Sequence, residues 1–245
     1  MLAIRNLTKN FGGLVAINDL TLTVEPNQFL GVIGPNGAGK TTLLNLITGY
    51  LAPSRGGIEL DGVQLVGRKP YEICRIGIGR TFQVVQPLAE MTVEENVMTG
   101  AFYSGSERVS ITAARDRAQE ALAAVGLSEQ AGAMAGTVTL GNKKKLELAR
   151  ALATRPRLLL LDEVMAGSPQ GDVVELMQVL RGIHAKGMTI LMIEHLVPVI
   201  LALAEHVFVL NFGQELFQGK PADVIAHPDV IESYLGKPLA EIAHA

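Results

Sequence analysis

The residues able to do chemistry begin at Gly34. The stretch GPNGAGKTT, residues 34 to 42, fits the spacing G-x-x-x-x-G-K-[ST], a pattern that carries meaning when a strand precedes it and a helix follows. Gly34, Gly37 and Gly39 let the chain curl around Pro35, Asn36 and Ala38, so that successive N–H groups point inward at the β- and γ-phosphates of a nucleotide. Lys40 adds a point charge on the same oxygens. The Thr41 hydroxyl, with Thr42 beside it, suits a hydrated Mg2+. Far along the chain, LLLLDE ends on Asp162 and Glu163. At the carboxyl end of a buried strand, where open α/β sheets place ligands, Asp162 would hold Mg2+ through water. Glu163 would take a proton from an attacking water, or orient it. His195 closes a second apolar strand, TILMIEH, within reach of a terminal phosphate, and Gln83 in GRTFQ could touch both metal and water.

Each residue also has a plainer reading. A Gly-rich turn can carry an incidental lysine, and a strand-end acid pair can simply stay solvated. His195 could be a satisfied edge histidine and Gln83 an ordinary loop amide. The decision between these readings lies in the elements that must position them.

The chain before the loop reads as strands, LAIRNLTKNF and LVAINDLTLTVEPN, turning at Gly12-Gly13. FLGVIG is a short buried strand, TTLLNLITGYL a helix, and GGIELDGVQL a strand pair around Asp61-Gly62. From Gln83 to about Arg155 the pattern turns helical in TVEENVMTGAF, ITAARDRAQEALAAVGL and NKKKLELARALAT, with Gly126 as a stop for the middle helix. RLLLLDE then returns as a strand buried on both faces. The helix DVVELMQVLRGIHAKG and strand MTILMIEH complete a βαβ unit. HVFVLNFGQELFQG reads as a hairpin, followed by short helices in PADVIAH and PDVIESYLG. The phosphate loop thus has its strand and its helix, and the acids have their buried strand.

Composition bounds the rest. The 245 residues suffice for one large α/β domain, and 48% hydrophobic content marks a folding chain. A net charge of −3 supplies no surplus for nucleic acid or anionic lipid. The single cysteine, Cys74, rules out an internal disulfide, fits a reducing compartment and has no histidine beside it to activate it. The first residues lack a secretory pattern, and HLVPVILALAEHVFVL is too short and too interrupted to span a bilayer, so any membrane role is expected through a partner. Three consecutive lysines, Lys143, Lys144 and Lys145, could form a nucleic-acid patch, a solvated helix face or one side of an anion site.

Taken in order, GPNGAGKTT, Gln83, VTLGN, LLLLDE and His195 resemble the motifs of the ATP-binding subunits of ABC transporters, over nearly the whole chain. RTFQVVQPLAEMTVEENV, LELARALATRPRLLLLDEVMAG and GKPADVIAHPDVIESYLG are similar to importer ATPases that serve branched-chain amino acids, with urea and amide importers as near relatives. The resemblance implies an α/β fold: a P-loop NTPase core with a mainly parallel sheet, an N-terminal antiparallel β subdomain and an inserted α-helical subdomain. The core would take residues 1–82 and 156–220, the helical part 83–155, and C-terminal helices 221–245, within one ABC ATPase domain.

The resemblance further implies ATP and Mg2+ as cofactors. A second ATPase subunit, identical or merely similar, would sandwich two ATP molecules with this chain. The partners would be membrane-spanning permease subunits, docked near Gln83 to Asn96, and a solute receptor acting through the complex, but no nucleic acid. The location would be the cytoplasmic face of the membrane. Glu163, His195 and Gln83 would be catalytic, and Thr41, Gln83 and Asp162 would serve the metal. Gly34 to Thr42 and Phe11, an adenine-stacking aromatic, would bind nucleotide, with Thr139, Gly141 and Asn142 contacting it across the dimer. The helix opening near Gly141 then gives the lysines a place, with Lys143 nearest the nucleotide and Lys144 and Lys145 spread towards solvent or acidic neighbours. Against the usual Leu-Ser-x-Gly-Gln, the signature here reads Val138-Thr139-Leu140-Gly141-Asn142. Val164 replaces a usual proline, and Pro169 an Asp or Asn that contacts the opposite subunit.

Overall fold

The structure is a computed structural model that describes residues 1–105 and 109–235. His244 and the end of the expected C-terminal segment lie outside the described residues.

The chain opens with β1 (Leu2–Phe11) and β2 (Leu14–Val24), then β3 (Phe29–Ile33) and α1 (Lys40–Ile47). β4 (Arg55–Leu60) and β5 (Val63–Gln64) follow, turning at Asp61-Gly62. α2 (Pro70–Ile76) and β6 (Ile78–Arg80) lead into α3 (Val93–Phe102), α4 (Ile111–Ala124) and α5 (Leu140–Ala153). Next come β7 (Leu158–Asp162), α6 (Gln170–Ala185), β8 (Thr189–Ile193) and α7 (Val197–Leu203). The hairpin of β9 (His206–Asn211) and β10 (Gln214–Gly219) is followed by α8 (Pro221–Ala226) and α9 (Pro228–Val230), which runs into a π turn at Ile231–Leu235.

Two helices escape the periodicity reading. α2 and α7 are each seven residues long and start at or next to a proline. Proline there costs nothing, because first-turn N–H groups have no helical partner anyway. Pro198 therefore starts α7 within the apolar stretch that follows β8.

The described residues form two compact units. One comprises Met1–Pro70 and the residues from Ile190 onward. It holds an antiparallel sheet in the order β2-β1-β4-β5. It also holds β3, parallel to both β8 and β9, with β10 antiparallel to β9. Every residue of β3 is buried, as a strand covered on both faces requires. α7 packs so closely that a Cβ on Gly31 of β3 would stand 2.4 Å from Ile200 Cγ2. The other unit, Tyr71–Thr189, pairs β6 and β7 in parallel and carries α2 to α6. β7 is buried throughout, and α3, α4 and α5 pack on one another. α3 starts on a capping box in which the Thr92 hydroxyl accepts from Glu95 N while the Glu95 carboxylate accepts from Thr92 N. Among the described residues no helix is long and apolar enough to cross a membrane.

Candidate functional site

The phosphate loop is shaped by what crowds it. β3 ends at Ile33, and a Cβ on Gly34 would lie 2.1 Å from the Leu210 carbonyl oxygen of β9. Gly39, the N-cap of α1, has φ 108°, and a Cβ there would meet the Ala16 carbonyl oxygen of β2 at 2.7 Å. Neither position admits a side chain, so the glycine spacing is a packing demand as well as a conformational one. Lys40 is only 5% exposed, and its ammonium donates to the carbonyl oxygens of Gly34 at 2.6 Å and Pro35 at 3.0 Å. A buried cation, a curled backbone and a helix N-terminus converge on one concave turn. That arrangement fits a polyphosphate. Asn36, Gly37 and Thr41 are exposed beside it, and Thr42 is half-buried.

Phe11 ends β1 and is 45% exposed, with the Lys9 ammonium 5.0 Å from its ring centroid. It is an accessible aromatic face and not a core residue. His195 follows β8 and Glu194, and is exposed just before α7.

The second unit gathers the acids and the amide. Arg80, the last residue of β6, holds Asp162 through Nη2 to Oδ2 at 2.8 Å, with side chains 7% and 6% exposed. The Asp162 amide donates to the Thr81 hydroxyl at 3.4 Å. Gln83 Nε2 donates to Glu163 Oε2 at 2.9 Å, so two residues eighty positions apart are brought into one pair. Glu163 is buried and left-handed at φ 50°, a conformation that a non-glycine residue adopts at some energetic cost. Among the described residues no group of three or more His, Cys, Asp or Glu could hold a metal ion. The oxygen donors proposed for Mg2+, namely the Thr41 hydroxyl, the Gln83 amide oxygen and the Asp162 carboxylate, are nonetheless hard ligands of the right kind. Arg80 engages one Asp162 oxygen, and a carboxylate has acceptor capacity beyond that single bond.

α5 begins with Thr139 as N-cap, its hydroxyl accepting from Asn142 N at 3.3 Å. A hydroxyl that accepts here still carries a proton to donate. The Asn142 amide donates to Gln130 Oε1 at 2.9 Å. Gly141 is crowded by Asp172, whose Oδ2 would be 2.5 Å from an added Cβ. Pro169 caps α6 without any side-chain hydrogen bond.

The lysines need one correction. Lys145 meets an acidic neighbour as expected, pairing with Glu175 at 2.5 Å. Lys144 does not turn towards solvent. It is buried, and its ammonium donates to the Ala166 carbonyl and to Ser168 Oγ at 2.7 Å, in the loop after Glu163. Sequence reasoning also passed over Arg80 and Glu147. The Glu147 carboxylate accepts from the Phe82 amide, and burial pushes its pKa up to about 7 against the opposing effect of that bond and of Arg150. The available signal was an acid flanked in sequence by two leucines, Leu146 and Leu148, that are both buried.

Comparison with known proteins agrees with this geometry. Residues 17–166 match the family model described as ABC transporter, and residues 214–240 match one described as branched-chain amino acid ATP-binding cassette transporter. The high-affinity branched-chain amino acid transport ATP-binding protein BraF of Pseudomonas aeruginosa is 40% identical over 97% of this chain and 98% of its own. LivG of Escherichia coli, of the same description, is 37% identical at the same coverage. Among solved structures, an ATP-binding cassette of an ABC transporter in its ADP conformation superposes with TM-score 0.87 at 32% identity, covering 97% of this chain and 99% of that one. A nucleotide-free cassette superposes with TM-score 0.85 at 31% identity, again over 97% and 99%. An α/β P-loop NTPase fold, a glycine-shaped loop that a polyphosphate fits and likeness along almost the entire length converge, and this chain belongs to the ABC transporter family as one of its ATP-hydrolysing subunits.

Proposed function

We propose that the chain powers uptake of a branched-chain or other hydrophobic amino acid, or a related small polar solute, through partner permease subunits. The 40% identity to the Pseudomonas transport protein across nearly both full lengths carries this reading. A cavity of about 890 Å3 supports it, lined by Arg80, Phe82, Gln83, Leu88, Tyr103 and Arg150, where the permease would dock. A soluble receptor delivers the solute at the other side of the membrane, and the cassette works at the cytoplasmic face.

In the proposed cycle the Gly34–Thr42 backbone and Lys40 bind the phosphates of ATP, and Phe11 stacks on adenine. Thr41 and Gln83, with Asp162 through water, would hold magnesium, which would supply charge neutralisation on the phosphates. Glu163 orients the attacking water and takes its proton, while Gln83 holds Glu163 in place and His195 donates to the terminal phosphate. Thr139, Gly141 and Asn142 meet the nucleotide of a second cassette. Catalysis comes from positioning and charge stabilisation. The test is Glu163→Gln in the assembled complex. ATP affinity stays within two-fold while turnover falls by about two orders of magnitude or more. Undiminished turnover removes Glu163 from this role.

A second reading is a weakly hydrolysing half of a heterodimer, favoured by Pro169, which offers no side-chain hydrogen bond at the start of α6. Sustained phosphate release by a complex containing two copies of this chain excludes it.

A further inference from the structure

Lys144 and Glu147 lie three residues apart on α5 and therefore on one face of it. Both are ionisable and both are buried, an expensive arrangement unless each polar group has a defined partner. Lys144 grips the Ala166 carbonyl and Ser168 Oγ, just past Glu163. Glu147 grips the backbone amide of Phe82, just before Gln83. The Gln83–Glu163 bond of 2.9 Å joins the two gripped segments directly. The result is a closed ring: α5, Glu147, Phe82-Gln83, Glu163 to Ala166, Lys144 and back to α5. Phe82, Gln83, Lys144, Glu147 and Val164, among others, line a small cavity of about 10 Å3 between these segments, room for about one water. Because both arms are bonded to the same helix and to each other, a shift of the helix acts on both members of the pair.

We propose that Lys144 and Glu147 are paired positioning residues, a two-point brace by which α5 sets the geometry of Gln83 against Glu163. This rests on the roles given above to those two residues. The brace stands one to two turns from Thr139 and Gly141, where the helix begins. Engagement of that end by nucleotide therefore reaches Glu163 through the ring, and water is oriented for attack only when α5 is seated. Neither residue touches the reacting atoms.

The experiment is steady-state ATP hydrolysis by the complex assembled with its permease subunits. Lys144→Met and Glu147→Leu are each expected to lower kcat by about ten- to hundred-fold while KM for ATP changes less than about two-fold, because misplacement of a catalytic group costs rate and not ground-state binding. Lys144→Arg and Glu147→Gln keep a donor and an acceptor, and are expected to recover most of the loss. The double variant Lys144→Met/Glu147→Leu should lose no more than the worse single variant, since breaking a ring once already frees it. Should either apolar variant fail to fold, Ser168→Ala decides the question, because it removes one Lys144 partner from a half-buried loop position. A fall in kcat of about three-fold or more at unchanged KM supports the brace, and wild-type kcat overturns it. Unchanged kcat in Lys144→Met and Glu147→Leu, kcat and KM moving together, or multiplying losses in the double variant overturn it as well. Glu163→Gln in the same assay separates the two levels. If it abolishes turnover while the brace variants do not, only the brace fails. If it leaves turnover intact, the role of Glu163 and the brace fall together.

Discussion

At the scale of single residues, the site is held by contacts that leave no room for substitution. Gly34→Ala would drive a methyl to 2.1 Å from the Leu210 carbonyl oxygen, which belongs to the backbone of β9 and cannot rotate away. A loss of about 2 kcal/mol or more in urea unfolding is expected, together with weakened ATP binding. Arg80→Met removes the partner of a carboxylate whose side chain is only 6% exposed. Leaving Asp162 buried and unpaired should cost about 3–5 kcal/mol, read from the same unfolding curves. Replacing both members by apolar residues of similar size should recover much of that stability while leaving the proposed magnesium role unfilled. Arg80 was present in the quoted GRTFQ, yet nothing in its spacing pointed to Asp162, because ion pairs between distant segments leave no periodic trace.

At the scale of elements, α5 is the piece on which most depends. Its cap is a single hydroxyl, and Thr139→Ala should destabilise the protein by about 1 kcal/mol in thermal unfolding. Glu147 gives the helix a pH dependence. Its folded pKa of about 7 stands above the ordinary glutamate value of 4.5, so the folded protein holds the extra proton between those limits. Stability from this group is therefore complete below about pH 4.5 and is lost progressively as pH rises through about 7. The groups that act on it are Arg150 and Lys144, which favour its charge, and Asp162, which opposes it. Glu147→Gln avoids the buried charge, and its stability relative to the parent protein should rise between about pH 4.5 and 7, by roughly 1–3 kcal/mol in the nucleotide-free chain. A pH-independent difference would show that the carboxyl ionises without penalty. The strands and helices that form this scaffold were legible where burial is two-sided or periodicity is long, as in β3, β7, α4 and α5. The seven-residue helices α2 and α7 were not, since two turns carry too little pattern to register.

At the scale of the whole molecule, the signature helix is expected to serve a second cassette, so assembly should follow nucleotide. Glu163→Gln should trap ATP by removing the proposed base, and light scattering should show this variant dimeric with ATP and monomeric without it. Chelating magnesium from the parent protein should abolish phosphate release while some ATP binding through the loop and Lys40 remains. A variant that stays monomeric under all conditions would favour the heterodimer reading, in which Pro169 and the altered signature face a different chain.

The sequence by itself determined the glycine-rich loop between strand and helix, the strand-end acids and the order of motifs, because these depend on local chemistry: glycine conformations, a lysine at fixed spacing, and carboxylates at the end of a buried run. Only the tertiary structure decided which side chains meet. It paired Gln83 with Glu163 and Arg80 with Asp162, and it turned Lys144 inward to the loop after Glu163. The physical reason is that a hydrogen bond between residues eighty positions apart is fixed by how strands and helices pack, and packing is a property of the folded chain that no single stretch contains.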